Sequence, residues 1–263
     1  MTERILFESH SHTPLCRHAT GDPTEYAAVA HERGLRGLLV TCHNPMPNGF
    51  SHSVRMREDE FDEYVDLVAR ASETWSGEVD VRLGLEADYF EGHEAYLEKQ
   101  LASADFHFVL GSVHPQIGEF RERYWQEDLV EVQRIYFRLL AQSAETGLFD
   151  SLAHPDLIKN HTAKRWDPES ILDDIRPALD RIADTGVAME LNTSGMNKTI
   201  KEMNPFPAML VEMRQRDIPQ HDDRSQRNQP PLNRRCRNPA AHESKAREEN
   251  KLPSKRVEEP FPL

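Results

Sequence analysis

A single parallel α/β barrel is the fold class that this sequence predicts, on three observations. Short apolar runs alternate with segments of helical periodicity, the connections suit successive βα units, and a histidine or a carboxylate closes one apolar run after another. Six such units, with no sign of a second domain before residue 220, favour a barrel over an open doubly wound sheet.

Ile5 to Ser9 reads as the first strand. Pro23 to Arg33 reads as a helix, with Asp22 as its cap, Pro23 at its first position and Gly34 at its close. Leu35 to Thr41 is the second predicted strand, followed by the loop Asn44-Pro-Met-Pro-Asn-Gly49. Glu58 to Thr74 sets Phe61, Tyr64, Val65, Leu67, Val68 and Ala71 at amphipathic helical spacing. Val79 to Leu85, Phe106 to Gly111, Phe149 to Ala153 and Val187 to Leu191 follow as strands three to six. Helices are predicted over Glu94–Ser103, Leu129–Thr146 and Pro168–Thr185 between them, the last two closed by Gly147 and Gly186, and over Pro205–Arg216 after the sixth strand.

The formal charge of −13 over 263 residues argues against binding nucleic acid or an anionic membrane surface. No run approaches eighteen apolar residues, and the start, Met1-Thr-Glu-Arg4, lacks an apolar signal core, so a cytoplasmic protein is expected. Cys16, Cys42 and Cys236 form neither a CxxC pair nor an even framework, as suits a reducing compartment.

The stretch Glu8-Ser-His-Ser-His-Thr-Pro-Leu-Cys-Arg-His18 carries the chemistry of the N-terminus. In an extended segment residues two apart point the same way, so His10 and His12 can present two imidazoles to one ion, and His18 can fold back over the same spot. Alone, such a pair is as readily two surface histidines in a loop. Recurrence decides for a site: His43 follows strand two, Glu86 ends strand three, His114 follows strand four, His154 follows strand five, and Glu190 with Asn192 closes strand six. In parallel barrels these C-terminal strand ends converge on one face. An imidazole-rich set, with Cys42 its one thiol, suits a polynuclear site of zinc, iron or manganese better than calcium or magnesium, and Glu86 is the expected bridging carboxylate.

The segments His10-Ser-His12-Thr with His18, His43-Asn-Pro, Gly84-Leu-Glu86-Ala-Asp88-Tyr89, Gly111-Ser-Val-His114, Ala153-His154-Pro-Asp156 and Glu190-Leu-Asn-Thr-Ser-Gly195 together resemble the polymerase-and-histidinol-phosphatase (PHP) superfamily, in its histidinol-phosphatase-like branch. The resemblance covers roughly residues 5 to 218. It implies a distorted (β/α)7 TIM-like barrel and hydrolysis of a small phosphate ester, L-histidinol phosphate giving L-histidinol in histidine biosynthesis. Carried over, His10, His12 and Glu86 would hold one ion, Glu86, His114 and His154 a second, and His18 and His43 a third. Asp88 is a candidate proton donor to the leaving group, its alternative an ordinary loop acid. Arg17, Lys159 and Lys198 are candidate phosphate contacts, and Glu190, Asn192 and Ser194 candidate contacts to the substrate amine or hydroxyl; the alternatives are solvated surface charges and strand-end caps.

Two departures from that family pattern stand out. Cys42 occupies the place of an acid that family members often carry before the second-strand histidine, and it reads as a packed, inert thiol. A seventh strand ending in Gly-Ser-Asp-Ala-His or close to it is expected after Arg216, yet the chain runs on as Gln220-His-Asp-Asp-Arg-Ser. From 221 to 263 there are ten Lys/Arg against seven Asp/Glu and no glycine, whereas residues 1–220 carry 22 against 38. The last strand is therefore expected to be missing or replaced. Residues 1–220 would form the phosphoesterase domain and 221–263 a disordered tail, either a frameshifted reading, which is favoured, or a natural extension. His221, Asp222 and Asp223 are poor substitute ligands if no strand positions them. Two alternatives accompany the phosphatase: a phosphodiesterase or exonuclease of the same superfamily, against which the acidic core speaks, and a non-catalytic metal-binding remnant lacking the final Asp and His.

Overall fold

The computed structural model describes residues 7–17 and 19–222, with the backbone alone at 221 and 222. His18, and the tail from 223 onward with the expectations placed on it, lie outside the described residues, which belong to one compact unit, Met1–Asn228. The elements in chain order are β1 (Phe7–Ser11), α1 (Pro23–Glu32), β2 (Gly37–Val40), α2 (Phe61–Thr74), β3 (Asp80–Asp88), α3 (Glu94–Leu101), β4 (Phe108–Ser112), α4 (Gly118–Tyr124), α5 (Leu129–Glu145), β5 (Ser151–Leu152), α6 (Ile158–His161), α7 (Pro168–Thr185), β6 (Ala188–Leu191), α8 (Pro207–Gln215) and β7 (Gln220–Asp222).

Every neighbouring pair of strands is parallel and the spatial order equals the chain order, so the first six strands form a curled parallel half-barrel to which β7 is added. Strands covered on both faces need continuous apolar runs, and all four residues of β2, Gly-Leu-Leu-Val, are buried. The helices begin where the sequence can satisfy their first amides. Asp22 accepts from Thr24 N while Glu25 accepts from Asp22 N, Asp128 accepts from Val130 N, and Asp167 accepts from Glu169 N ahead of Pro168. Gly186, at φ 71°, ends α7 in a left-handed conformation that costs a glycine little.

One buried phenol ties this frame to the chemistry. Tyr64 of α2 donates its proton between Val40 O at 2.6 Å and Gly84 O at 2.8 Å, locking the helix onto the last residue of β2 and the middle of β3.

The observed boundaries differ from the expected ones where polar residues continue a strand. β1 runs to Ser11, so His10 lies within it, and β3 extends through Asp88, because the neighbouring strands offer paired backbone there. The short helices α4 and α6 were not expected; both occupy polar connections with little apolar periodicity. The last strand was expected to be missing or replaced, and a short strand stands in that place. Met189, Glu190 and Leu191 of β6 pair with Gln220, His221 and Asp222, so a strand does place positions 221 and 222.

A Cβ at Gly84 would stand 2.7 Å from Thr41 Cγ2 and 3.0 Å from the carbonyl oxygens of Val40 and Phe108. Gly84→Ala should therefore destabilise the fold by about 1–3 kcal/mol through overpacking. A denaturant titration checks this: the midpoint falls with the slope unchanged, and an unmoved midpoint contradicts it.

Candidate metal centre

Six strand ends deliver the site. His10 lies in β1 and His12 just past it. Beyond β2 the chain stays alongside β3: Glu86 N donates to Cys42 O and Asn44 N to Glu86 O, which sets His43 beside Glu86 as a parallel bridge. His114 and His154 each follow their strand by two residues, and Glu190 lies in β6.

Glu86 is fully buried, and both of its oxygens face imidazoles. Around Oε2 stand His10 Nε2 at 3.1 Å, His43 Nδ1 at 3.2 Å and His12 Nε2 at 3.6 Å. Around Oε1 stand His154 Nε2 at 2.9 Å and His114 Nε2 at 3.3 Å. His43 Nδ1 is thus gathered with Glu86 and His114.

A second ring of carboxylates orients these imidazoles. Glu190 Oε1 accepts from His10 Nδ1 at 2.7 Å, and its Oε2 accepts from the backbone N of His154 at 2.7 Å. His154 holds φ at +28°, an uncommon value for a non-glycine residue. Asp88 Oδ1 accepts from His114 Nδ1 at 2.8 Å and from Ser112 Oγ at 2.9 Å, while Arg55 Nη2 donates to its Oδ2 at 2.5 Å. Asn44 completes this side: its Oδ1 accepts from the Asp88 amide and from Arg55.

Protonation follows from these partners. Burial pushes the Glu86 carboxyl up, but the surrounding imidazoles, His43 and His10 foremost, outweigh it and hold the group well below the usual carboxylate range. Burial likewise opposes ionisation of Asp88 and Glu190, yet Arg55 and His114 keep Asp88 ionised and His10 brings Glu190 down to about 2. Burial lowers His10 and His114, but the carboxylates prevail; Glu190 and Glu86 raise His10 well above its ordinary value, and Asp88 and Glu86 bring His114 to about 9. Burial wins at His43 and His154, which stay neutral despite Glu86.

The remaining candidates fall into place around this core. An open cleft of about 1460 Å³ reaches His10, His12, His43, Glu86, His114 and His154, and its walls include Asn192, Ser194 and Lys198. Asn192 also caps the turn after β6, where its Oδ1 accepts from Ser194 N and Oγ. Arg17 forms a two-pronged pair with Glu60, and the fully buried Lys159 is held by Asp156 at 2.9 Å and by Met203 O at 2.6 Å, so both cations have partners within the chain. Glu190 is likewise engaged by His10 and His154 rather than by an open space for an amine. Asp88, ionised and ion-paired, is unsuited to donating a proton. Sequence reasoning missed Arg55, whose position in a loop carries no signal, and Ser112, which stands inside a segment that was singled out. It also missed His161, a cleft residue that burial, with Arg121 and Lys198 near, brings down to about 4.

The donor set fits divalent ions such as zinc. His10, His12 and Glu86 form one group of converging ligand atoms, and His43, Glu86 and His114 form another. The Nδ1 of His154 is buried with no hydrogen-bond partner among the described residues, as expected of a nitrogen placed for something other than a protein donor.

A curled parallel sheet that gathers imidazoles about one carboxylate at its C-terminal strand ends defines an α/β barrel-type protein with a histidine-rich group of residues that could hold metal ions. The chain belongs to the PHP domain family, whose profile matches residues 8–194. It is 40% identical over 221 residues to a probable histidinol-phosphatase of Deinococcus radiodurans, covering 81% of this chain and 83% of that one. It is 24% identical to the histidinol-phosphatase of Bacillus subtilis, with 81% and 90% covered. Among solved structures, a putative histidinol phosphatase of Listeria monocytogenes superposes with a TM-score of 0.70 at 18% identity, over 82% of this chain and 93% of that one. The histidinol phosphate phosphatase of Lactococcus lactis, complexed with zinc, L-histidinol and phosphate, superposes with a TM-score of 0.68 at 19% identity, over 85% and 88%.

Two outcomes follow. Removing the carboxylate that orients His10, in Glu190→Gln, should weaken metal retention about 10–100-fold, read by competition with a chromogenic chelator. In the chelated protein His114 titrates near 9 against about 6.5 unfolded. A folded pKa raised in this way stabilises below the unfolded value and is lost as pH rises through the folded one. The metal-free protein should therefore lose stability between pH 6.5 and 9, and His114→Gln should flatten that loss in thermal melts.

Proposed function

We propose that this chain is a metal-dependent phosphomonoesterase that hydrolyses L-histidinol phosphate to L-histidinol and phosphate in histidine biosynthesis. In this reading its strands belong to a distorted (β/α)7 barrel of the PHP type. The observation that carries the proposal is the Glu86 carboxylate held among five imidazoles at the floor of an open cleft. The 40% identity to a protein named as a probable histidinol-phosphatase, over most of both chains, supports the same substrate.

In this reading two or three divalent ions, of zinc, iron or manganese, are held by His10, His12 and Glu86, by Glu86, His114 and His154, and by His18 and His43. Bound there, such ions supply Lewis acidity, which brings the pKa of water towards neutrality and offsets charge on the phosphoryl oxygens. The chain's own groups set the geometry. Glu190 fixes the ring of His10, and Asp88, clamped by Arg55, fixes that of His114, so Asp88 acts through its histidine and not as the leaving-group acid. Lys198 lines the cleft wall, and with Arg121 near the neutral His161 it gives that wall a positive field that favours a phosphate dianion. Asn192 and Ser194, which also line the cleft, would meet the rest of a small substrate.

The test is inorganic phosphate release from L-histidinol phosphate by the full chain loaded with zinc or manganese. Release should vanish with a chelator, return with metal, and fall at least 10³-fold in Glu86→Gln, as expected for loss of a group that organises the whole constellation. A metal-loaded chain that frees no phosphate sinks the proposal, and hydrolysis of a single-stranded oligonucleotide in its place would point to the nuclease reading.

A further inference from the structure

The buried thiols next to the centre play no part in the reaction proposed above. Cys16 ends a short 3-10 turn, Pro14–Cys16, that follows β1, and Cys42 lies two residues past β2; both are 0% exposed. With a ring nitrogen of His12, their sulfurs lie within 4.8 Å of one another. Thr13 sits among them. Its carbonyl oxygen accepts from Cys16 Sγ at 3.1 Å and lies 3.8 Å from Cys42 Sγ, and its hydroxyl lies 3.1 Å from Cys42 Sγ. The convergence is built into the frame, because Thr41 N donates to Ser11 O at 2.8 Å and so fixes the two incoming segments side by side.

Buried cysteines that merely fill space need only apolar neighbours. Here two sulfurs from separate segments meet an imidazole and a carbonyl, which is a nitrogen, two soft sulfurs and an oxygen about one point. Such a set selects zinc in tetrahedral coordination, and it differs in kind from the imidazole–carboxylate set around Glu86. We infer that His12, Cys16 and Cys42, with the Thr13 carbonyl, form a second, thiolate-containing zinc site beside the Glu86 centre. On binding, each S–H bond is replaced by an S–Zn bond and two protons leave for solvent, with no change of oxidation state. His12 stands at the border of both sites, its Nε2 3.6 Å from Glu86 Oε2, so an ion held by the thiols would also immobilise a ligand of the main centre.

Cobalt(II) reports sulfur ligation through a thiolate-to-metal charge-transfer band, so the full chain is stripped with a chelator and titrated with cobalt. The expected result is one equivalent of cobalt that brings the band, lost in Cys16→Ser and in Cys42→Ser and kept in Cys236→Ser. Absence of the band in the unsubstituted chain at every cobalt loading overturns the site without relying on any variant's folding. A band that survives both Cys16→Ser and Cys42→Ser overturns it as well. Phosphate release is assayed separately, so an active enzyme with no sulfur band would remove this site and leave the phosphatase reading standing.

Discussion

An ionised carboxylate buried at zero exposure is the constraint on which the rest of this structure depends. Alone in an apolar interior such a group is far too costly to keep charged. Glu86 is tolerated because charge alternates outward from it in layers. His10 and His114 carry protons against it, Glu190 and Asp88 stand behind those imidazoles, and Arg55 stands behind Asp88. Removing one partner from such a network leaves an uncompensated buried charge, which is why these groups are satisfied together or not at all. In the ion-free protein the two imidazolium protons stand where cationic charge is wanted. Divalent ions and those protons therefore compete for the same carboxylates, and metal affinity must rise with pH.

The sheet explains how the layers are assembled. Parallel pairing in chain order brings residues 180 positions apart, His10 and Glu190, to a 2.7 Å contact. The extension of β2 beside β3 sets His43 against Glu86 through two backbone hydrogen bonds, so that ligand needs no side-chain support for its placement. Strand pairing positions backbone to within fractions of an ångström, and a site built on strand ends inherits that rigidity.

Much of this was legible in the sequence because period and position carry it. A two-residue period in β1 announced His10 and His12, and strand-end placement announced His43, Glu86, His114 and His154. What was not legible depends on distances that no local pattern encodes. Glu190 looked like a group for a substrate amine, and only the approach of β1 to β6 reveals that it holds His10. Asp88 looked like an acid near the surface, and its ionisation follows from Arg55, 33 residues earlier in a loop without periodicity. Arg17 looked like a free cation because an ion pair made across the fold, to Glu60, leaves no trace at the spacing of either partner, and Lys159, though Asp156 stands only three residues before it, showed no sign of its full burial. The short strand β7 was hidden for a related reason: three residues are too few to show alternation, and their polar composition reads as a loop.

That strand bears on the centre more than its length suggests. Glu190 can orient His10 only if β6 is held in register, and without a neighbour on its far side β6 would be an edge with unpaired amides and carbonyls. β7 supplies that neighbour. Met189 N donates to Pro219 O at 2.9 Å, and Glu190 pairs with His221. The approach to β7 is anchored in turn by Ile218, which is buried and donates from its amide to Met213 O at 3.0 Å. The ordered frame therefore extends through the point at which the composition of the chain changes. The carboxylate layer behind the histidines is complete on the β6 side because the residues that span that change, Gln220 to Asp222, pair as a strand.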